Sequence, residues 1–198
     1  ENALSITPDY VKAFYNMGLA HQEDGEQYKA VEAYHKTLSI KPDYADAYYN
    51  MGIALTGMTF KKPNIDLQKT IVSLLDKKRY VRPADITKAS ISLLKQEPRL
   101  QKHLKLVDTE LIENPLDVIS DLSKFALLLK LMSVCSLPDL YFEQLIKNLR
   151  RSILSNISSL KETLPVLIGF QSALALQCFT NEYIYSHTEE EEKILHLL

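Results

Sequence analysis

The sequence is short of glycine and cysteine, and neither sign of charge dominates it. Four of the five glycines occur by Gly57, and no glycine-rich loop is present that could hold a dinucleotide or a nucleoside phosphate. The two cysteines, Cys135 and Cys178, do not form a CxxC pair, and no HExxH pattern occurs. The formal net charge of −2 gives no basis for binding nucleic acid or an anionic membrane. These absences predict no catalytic residue, no cofactor and no metal in this fragment.

Long apolar runs and alternating β-branched runs are also missing. The longest apolar stretch, at 125–137, is interrupted by Lys130 and is too short to span a bilayer. No alternating run is long enough for a strand, so the sequence predicts an all-α protein. The start of the chain shows no signal peptide, and both cysteines lie in apolar runs. We expect buried free thiols and a cytoplasmic location rather than a disulfide framework.

One stretch of the sequence returns after 34 residues. Residues 10–18 read YVKAFYNMG, and residues 44–52 read YADAYYNMG. In the first copy, Gly18 lets a second helix approach the first, and Gly25 supplies a positive φ at the turn between them. Pro42 ends the second helix. A period of this length is typical of stacked helical hairpins.

The landmarks of this period resemble those of the tetratricopeptide (TPR) repeat. Ala30 is the small residue where the two helices cross, and Tyr34 fills the gap between them. The sequence departs from the usual pattern at His21, where an aromatic residue is common, and at Thr37, where alanine is common. The resemblance implies an α-solenoid, and neither departure is expected to disrupt the hairpin.

The same comparison predicts the domain organisation. Residues 3–10 match residues 37–44, so the chain is expected to begin inside the second helix of an earlier repeat, as a fragment of a longer protein. The predicted TPR segment, 1–55, holds the end of one repeat, one full repeat and the start of another. A linker at 56–65 replaces the next turn. An all-helical domain, 66–198, follows and is expected to continue beyond the chain end.

Within the helical domain, prolines and polar caps mark the expected helix starts. Asp66 is the predicted cap of its first helix, and Pro83, Pro98, Pro115 and Pro138 open later ones. One long central helix is predicted over 116–134 and another over about 163–185. Thr188 and Glu191 have the spacing of a capping box for a last helix.

The candidate site is the inner face of the repeats, since in a TPR hairpin the first helix lines the concave groove. By spacing, this face carries the residues Lys12, Tyr15, Asn16, Leu19, Glu23, Asp46, Tyr49, Asn50 and Ile53. Asn16 and Asn50 recur at one helical position, and an asparagine amide both donates to and accepts from a peptide backbone. The alternative is that these asparagines are only common consensus residues.

The two asparagines resemble the asparagine ladder in the repeats of O-linked N-acetylglucosamine transferases. They do not resemble the carboxylate clamp of chaperone-binding repeats, because tyrosines stand where the clamp has lysine. Two charged clusters, 77–82 and 189–192, are interpreted as solvated helix ends that the helix dipole favours.

A second resemblance covers most of residues 60–198. Residues 74–98, 127–140 and 170–185 resemble a helical region in bacterial TPR proteins from environmental genomes, where a class I S-adenosylmethionine-dependent methyltransferase domain follows. This resemblance implies a non-catalytic module that presents protein substrates to a downstream methyltransferase in the same chain. Two alternatives stay open: the recognition arm of an O-GlcNAc-type glycosyltransferase, and a free-standing TPR scaffold.

Overall fold

The computed structural model describes residues 3–77, 79–108, 112–155, 165–180, 189 and 192–193. Within these ranges the chain forms helices, turns and loops and no strand, which confirms the all-α prediction. The helices are α1 (Ala3–Glu23), α2 (Gln27–Ile40), α3 (Ala45–Leu55), α4 (Ile65–Asp76), α5 (Pro83–Leu94), α6 (Pro98–Leu104), α7 (Pro115–Leu122), α8 (Ala126–Val134), α9 (Leu140–Ser155) and α10 (Pro165–Thr180).

Packing divides the chain into a first unit, Glu1–Leu93, and a second unit, Leu94–Leu198. This boundary lies later than the linker at 56–65 that the sequence suggested. None of the helices in the described ranges is both long and apolar enough to cross a membrane.

In the first unit, α1 and α2 pack as a hairpin with the predicted landmarks. Gly25, at the turn, has a φ of +76°. Ala30 and Tyr34 of α2 are fully buried. The Tyr34 ring lies so close to α1 that a Cβ added at Gly18 would stand 2.4 Å from ring atom Cε1. Absence of a side chain at Gly18 is therefore what lets the two helices pack at this distance.

The two departures from the TPR pattern are accommodated locally. The buried Thr37 hydroxyl donates to the Ala33 carbonyl at 3.0 Å, so no polar atom of this side chain lacks a partner. His21 places Nδ1 2.7 Å from a carboxylate oxygen of Glu26, across the turn at Gly25. At this end of the hairpin, a polar contact of His21 thus takes the place of the packing that an aromatic residue usually provides.

The start of the chain differs from the expectation. Residues 3–10 are expected to belong to the second helix of an earlier repeat, but they are continuous with α1, which runs from Ala3 through Pro8 to Glu23. A proline only biases the preceding residue away from helical geometry. It also removes one main-chain hydrogen bond near the end of a long helix, and the following turns of α1 remain intact.

The connection 56–64 belongs to the packed first unit. Phe60 is buried, and its main-chain N–H donates to the Ser92 hydroxyl at 2.9 Å. The cap of α4 is Asn64, whose side-chain oxygen accepts from the Leu67 N–H at 2.9 Å. The prediction that Asp66 caps this helix was wrong. Asp66 lies inside the first turn, where it pairs with Lys69 at 2.8 Å.

In the second unit, the prediction of one long helix over 116–134 was wrong. This range forms two helices, α7 and α8, because the main chain turns at 123–125. The Lys124 and Phe125 N–H groups donate to carbonyls three residues earlier, and the Ser123 hydroxyl donates to the Ile119 carbonyl at 2.7 Å. Apolar residues stand on both sides of this turn, so hydrophobic periodicity gives no sign of it.

Polar side chains join the remaining helices of the second unit. Asp139 caps α9 by accepting from the Tyr141 N–H at 3.2 Å, and it also pairs with Lys95. The buried Gln177 of α10 donates to the Met132 and Cys135 carbonyls at the end of α8. Cys135 is half-buried rather than buried. The predicted caps Thr188 and Glu191, and the side chain of Cys178, lie outside the described residues.

Candidate functional site

The structure links the two first helices of the repeats through a pair of predicted site residues. The Asn50 side-chain N–H donates to the Tyr15 hydroxyl at 2.9 Å, which connects α3 to α1. Tyr15 also contacts Tyr44, with ring centroids 5.1 Å apart. Asn50 therefore has one donor engaged within the protein, and its carbonyl oxygen and second N–H are left for other partners.

Burial and charge act on the tyrosines beneath this surface. Burial raises the pKa of Tyr15, and the negative charge of Asp46 raises it further. Burial raises the pKa of Tyr34 to about 12. The Tyr34 hydroxyl donates to the Gln22 side-chain oxygen at 2.9 Å. Both hydroxyls are thus held as neutral hydrogen-bonding groups at physiological pH.

The other predicted site residues differ in exposure. Lys12, Asn16, Glu23 and Asp46 are exposed, and Leu19 is half-buried. On α3, Tyr49 is 55% and Ile53 47% exposed. An exposed tyrosine and isoleucine one turn apart offer apolar area on α3, which also carries the exposed carboxylate of Asp46. Among the nine residues, direct contact is seen for Tyr15 with Asn50.

The second repeat is completed in an unexpected way. In the first repeat, Tyr34 covers Gly18; the residue 34 positions after Tyr34 is Gln68, which is not aromatic. The corresponding Gly52 is covered by Val81, whose Cβ and Cγ2 would lie 3.2 Å from an added Cβ. The segment between α4 and α5 therefore takes the place that the second helix has in the first hairpin.

Aromatic rings and cations hold this segment against α3. Tyr80 stacks on Tyr48 with centroids 5.9 Å apart and rings 6° from parallel. The Arg79 guanidinium lies 4.8 Å from the Tyr80 ring centroid, and Lys77 Nζ lies 5.2 Å from that of Tyr48. Contacts of this kind fix a guanidinium without using its N–H donors.

A pocket of about 400 Å³ lies between this segment and α3. Its lining includes two predicted site residues, Tyr49 and Ile53, and three charged residues that the sequence did not assign to the site. These are Arg79, Arg82 and Asp85. From their position in the sequence, the arginines are predicted to be part of a solvated helix end. The signal that could have found them is Gly52, which repeats Gly18 without an aromatic residue to cover it.

Within the part of the chain that the structure describes, no group of three or more His, Cys, Asp or Glu side chains is arranged to hold a metal ion. In the second unit, His103 is buried and its Nε2 lies 3.2 Å from Asp121 Oδ2. One histidine beside one carboxylate forms a structural contact between α6 and α7. The chemistry of the first-unit surface is therefore that of hydrogen bonding, apolar contact and charge.

Comparison with known proteins agrees with the hairpin geometry. Residues 23–58 match the family described as TPR repeat. The match begins at the end of α1, includes α2 and α3, and ends in the loop before α4. No curated protein and no solved structure matches the chain. The chain therefore contains a TPR repeat, and such repeats typically serve as protein-interaction modules.

Proposed function

We propose that the chain is a non-catalytic peptide-binding module, and that an extended segment of a partner protein lies along α1 and α3. The observation that carries this proposal is the bond from Asn50 of α3 to Tyr15 of α1, which supports a common surface of the two helices. On this surface Asn16 is exposed, and Tyr49 and Ile53 leave about half of their area to solvent. Large side chains with one apolar side and polar neighbours are typical of binding surfaces.

Recognition of the peptide main chain fits the polar groups available. The Asn16 amide offers two donors and an acceptor, and Asn50 keeps one donor and its acceptor beyond the bond to Tyr15. The amides are uncharged, so the hydrogen bonds that they make depend little on salt. We expect affinity for several unrelated peptides, with side-chain preferences added by Tyr49 and Ile53.

The wider context is part of the same proposal. The resemblance of residues 74–98, 127–140 and 170–185 supports a substrate-recruiting role upstream of an S-adenosylmethionine-dependent methyltransferase domain, in the bacterial cytoplasm. The recognition arm of an O-GlcNAc-type glycosyltransferase is favoured less, because Tyr15 already engages one donor of the Asn50 amide and the two asparagines are therefore not equivalent. A free-standing scaffold would use the same surface.

The test is a peptide selection followed by matched tyrosine variants. Random linear peptides are displayed and selected on the 198-residue chain, and the affinity of synthesised binders is measured by fluorescence anisotropy. Tyr49→Ala is expected to weaken binding about tenfold, the loss that follows from ~1.4 kcal/mol. The control is Tyr141→Ala, which removes a tyrosine of similar exposure, 53% against 55%, in the second unit. Equal losses in both variants, or none in Tyr49→Ala, would contradict the proposal.

A further inference from the structure

The pocket beside Tyr49 and Ile53 has a chemistry of its own. Of its lining residues, Arg79 and Arg82 are cationic and Asp85 is anionic, which gives the pocket one net positive charge. All three are exposed. Among the residues that the structure describes, neither arginine forms an ion pair with a carboxylate. Both guanidinium groups therefore keep their N–H donors for a ligand.

The two arginines are positioned differently. Arg79 lies against the Tyr80 ring, which is itself stacked on Tyr48 of α3. This contact limits the rotamers of Arg79, so less conformational entropy is lost when its donors bind an anion. Arg82 stands immediately before α5 and makes no ring contact in the described chain. It lines the same pocket as Tyr49, Gly52 and Ile53 of α3.

We infer that this pocket binds an acidic side chain of the peptide that lies along α1 and α3. The inference rests on the proposed peptide binding and specifies its partner: an extended segment with an Asp or Glu at the position that reaches Arg79 and Arg82. Planar guanidinium groups match the geometry of a carboxylate, and charge-assisted hydrogen bonds are stronger than neutral ones. Tyr49 and Ile53 supply apolar contact for the residues next to the acidic one.

The experiment uses peptides without a free terminal carboxylate. The displayed library is fused to its carrier at the peptide's C-terminus, and each selected binder is synthesised acetylated and amidated. Wild type is expected to enrich Asp or Glu at one position. Changing that residue to Asn or Gln should weaken binding about tenfold, which corresponds to ~1.4 kcal/mol. The loss should shrink at high salt, since charge interactions are screened.

Protein variants then test the pocket. The double variant Arg79→Gln/Arg82→Gln should bind the acidic peptide about tenfold more weakly than wild type does. It should bind the acidic peptide and its amide counterpart with equal affinity. Lys61→Gln/Lys62→Gln is the charge-matched control, because both lysines are exposed and lie outside the pocket. It should keep the wild-type preference. If loss of the Arg79 ring contact impairs folding, the single variant Arg82→Gln should still bind the acidic peptide about threefold more weakly than wild type does.

The outcomes separate this inference from the proposed function. Binders whose affinity falls in Tyr49→Ala but which show no acidic preference would overturn the pocket assignment and leave peptide binding in place. An acidic preference that survives in Arg79→Gln/Arg82→Gln would also overturn it. Failure to select any peptide on the folded wild-type chain would overturn both.

Discussion

The Asn50 side chain donates to the Tyr15 hydroxyl across 35 positions of sequence, at 2.9 Å. This bond joins equivalent faces of two successive repeats, so one of the two recurring asparagines has a structural role. Asn16, at the same position of the first repeat, is exposed. The two asparagines therefore have different structural tasks, although both amides keep groups that can bind a peptide.

Stability measurements should separate these tasks. Asn50→Ala and Tyr15→Phe are each expected to lower the free energy of unfolding by ~0.5–1.5 kcal/mol, because each removes one partner of the same bond. The double variant should lose less than the sum of the two, which a double-mutant cycle measures. Asn16→Ala is the control and should change stability by less than ~0.5 kcal/mol. Strict additivity of the first two changes would show that the bond contributes nothing.

Gly18 and Tyr34 supply a second stability prediction. A methyl group at Gly18 would stand 2.4 Å from the Tyr34 ring, and this ring is fully buried. Gly18→Ala should destabilise the first unit by ~1–3 kcal/mol, as overpacking does. Urea unfolding followed by tyrosine fluorescence is a suitable measurement, since eight of the eleven tyrosines precede residue 94.

Two other glycines calibrate that result. Gly169, in α10, has no neighbour within 4 Å of an added Cβ, so Gly169→Ala should be neutral or stabilising by up to ~1 kcal/mol. Gly52 faces Val81 at 3.2 Å, on a segment outside the helices. Gly52→Ala should therefore cost less than Gly18→Ala. A larger loss at Gly52 or Gly169 than at Gly18 would contradict the packing described.

The pKa of Tyr34 predicts how stability depends on alkaline pH. Burial raises this pKa from 10.0 to about 12 in the folded chain. The unfolded chain therefore loses the Tyr34 proton first, and between these two values it binds fewer protons than the folded one. The contribution of Tyr34 to the stability of the folded chain is therefore fully present below pH 10.0, and it falls as the pH rises to about 12.

Urea unfolding across this pH range measures the effect. Tyr34→Phe should show a shallower alkaline loss of stability than wild type. The remaining loss reflects Tyr15, Tyr28 and Tyr48, whose pKa values burial also raises. Tyr10→Phe, at an exposed position of α1, is the control. An unchanged slope in Tyr34→Phe would show that the hydroxyl is not buried as described.

Much of the first hairpin follows from local sequence. Gly25 supplies the positive φ of the turn, Ala30 is small enough for the helix crossing, and Tyr34 fills the gap between the helices. One residue meets each requirement, and all three are found as predicted. The start of α5 at Pro83 is equally local, because a proline at the first helical turn loses no hydrogen bond that the helix needs. Residue-level patterns thus predict the starts of α5, α6 and α7 at Pro83, Pro98 and Pro115, whereas α9 begins at Leu140 and not at the predicted Pro138.

Features that depend on distant residues could not be predicted in this way. Val81 covers Gly52 from 29 positions away, and no repeat pattern marks it. The pocket at Arg79 and Arg82 depends on that contact. The sequence alone therefore predicts only that the two arginines lie at a solvated helix end. The turn at Ser123 lies between apolar segments whose periodicity continues through it. Nonlocal packing decides each of these cases.

Amide chemical-shift mapping identifies which helices of the chain contact a bound peptide. The isotopically labelled chain is titrated with a peptide selected on it, acetylated and amidated, and the shifts of assigned amides are followed to saturation. The largest changes are expected along α1 and α3, at and around Asn16 and Tyr49, with small changes in α2 and in the second unit. Saturable changes confined to the second unit, or to α2, would contradict the claim that α1 and α3 form the binding surface.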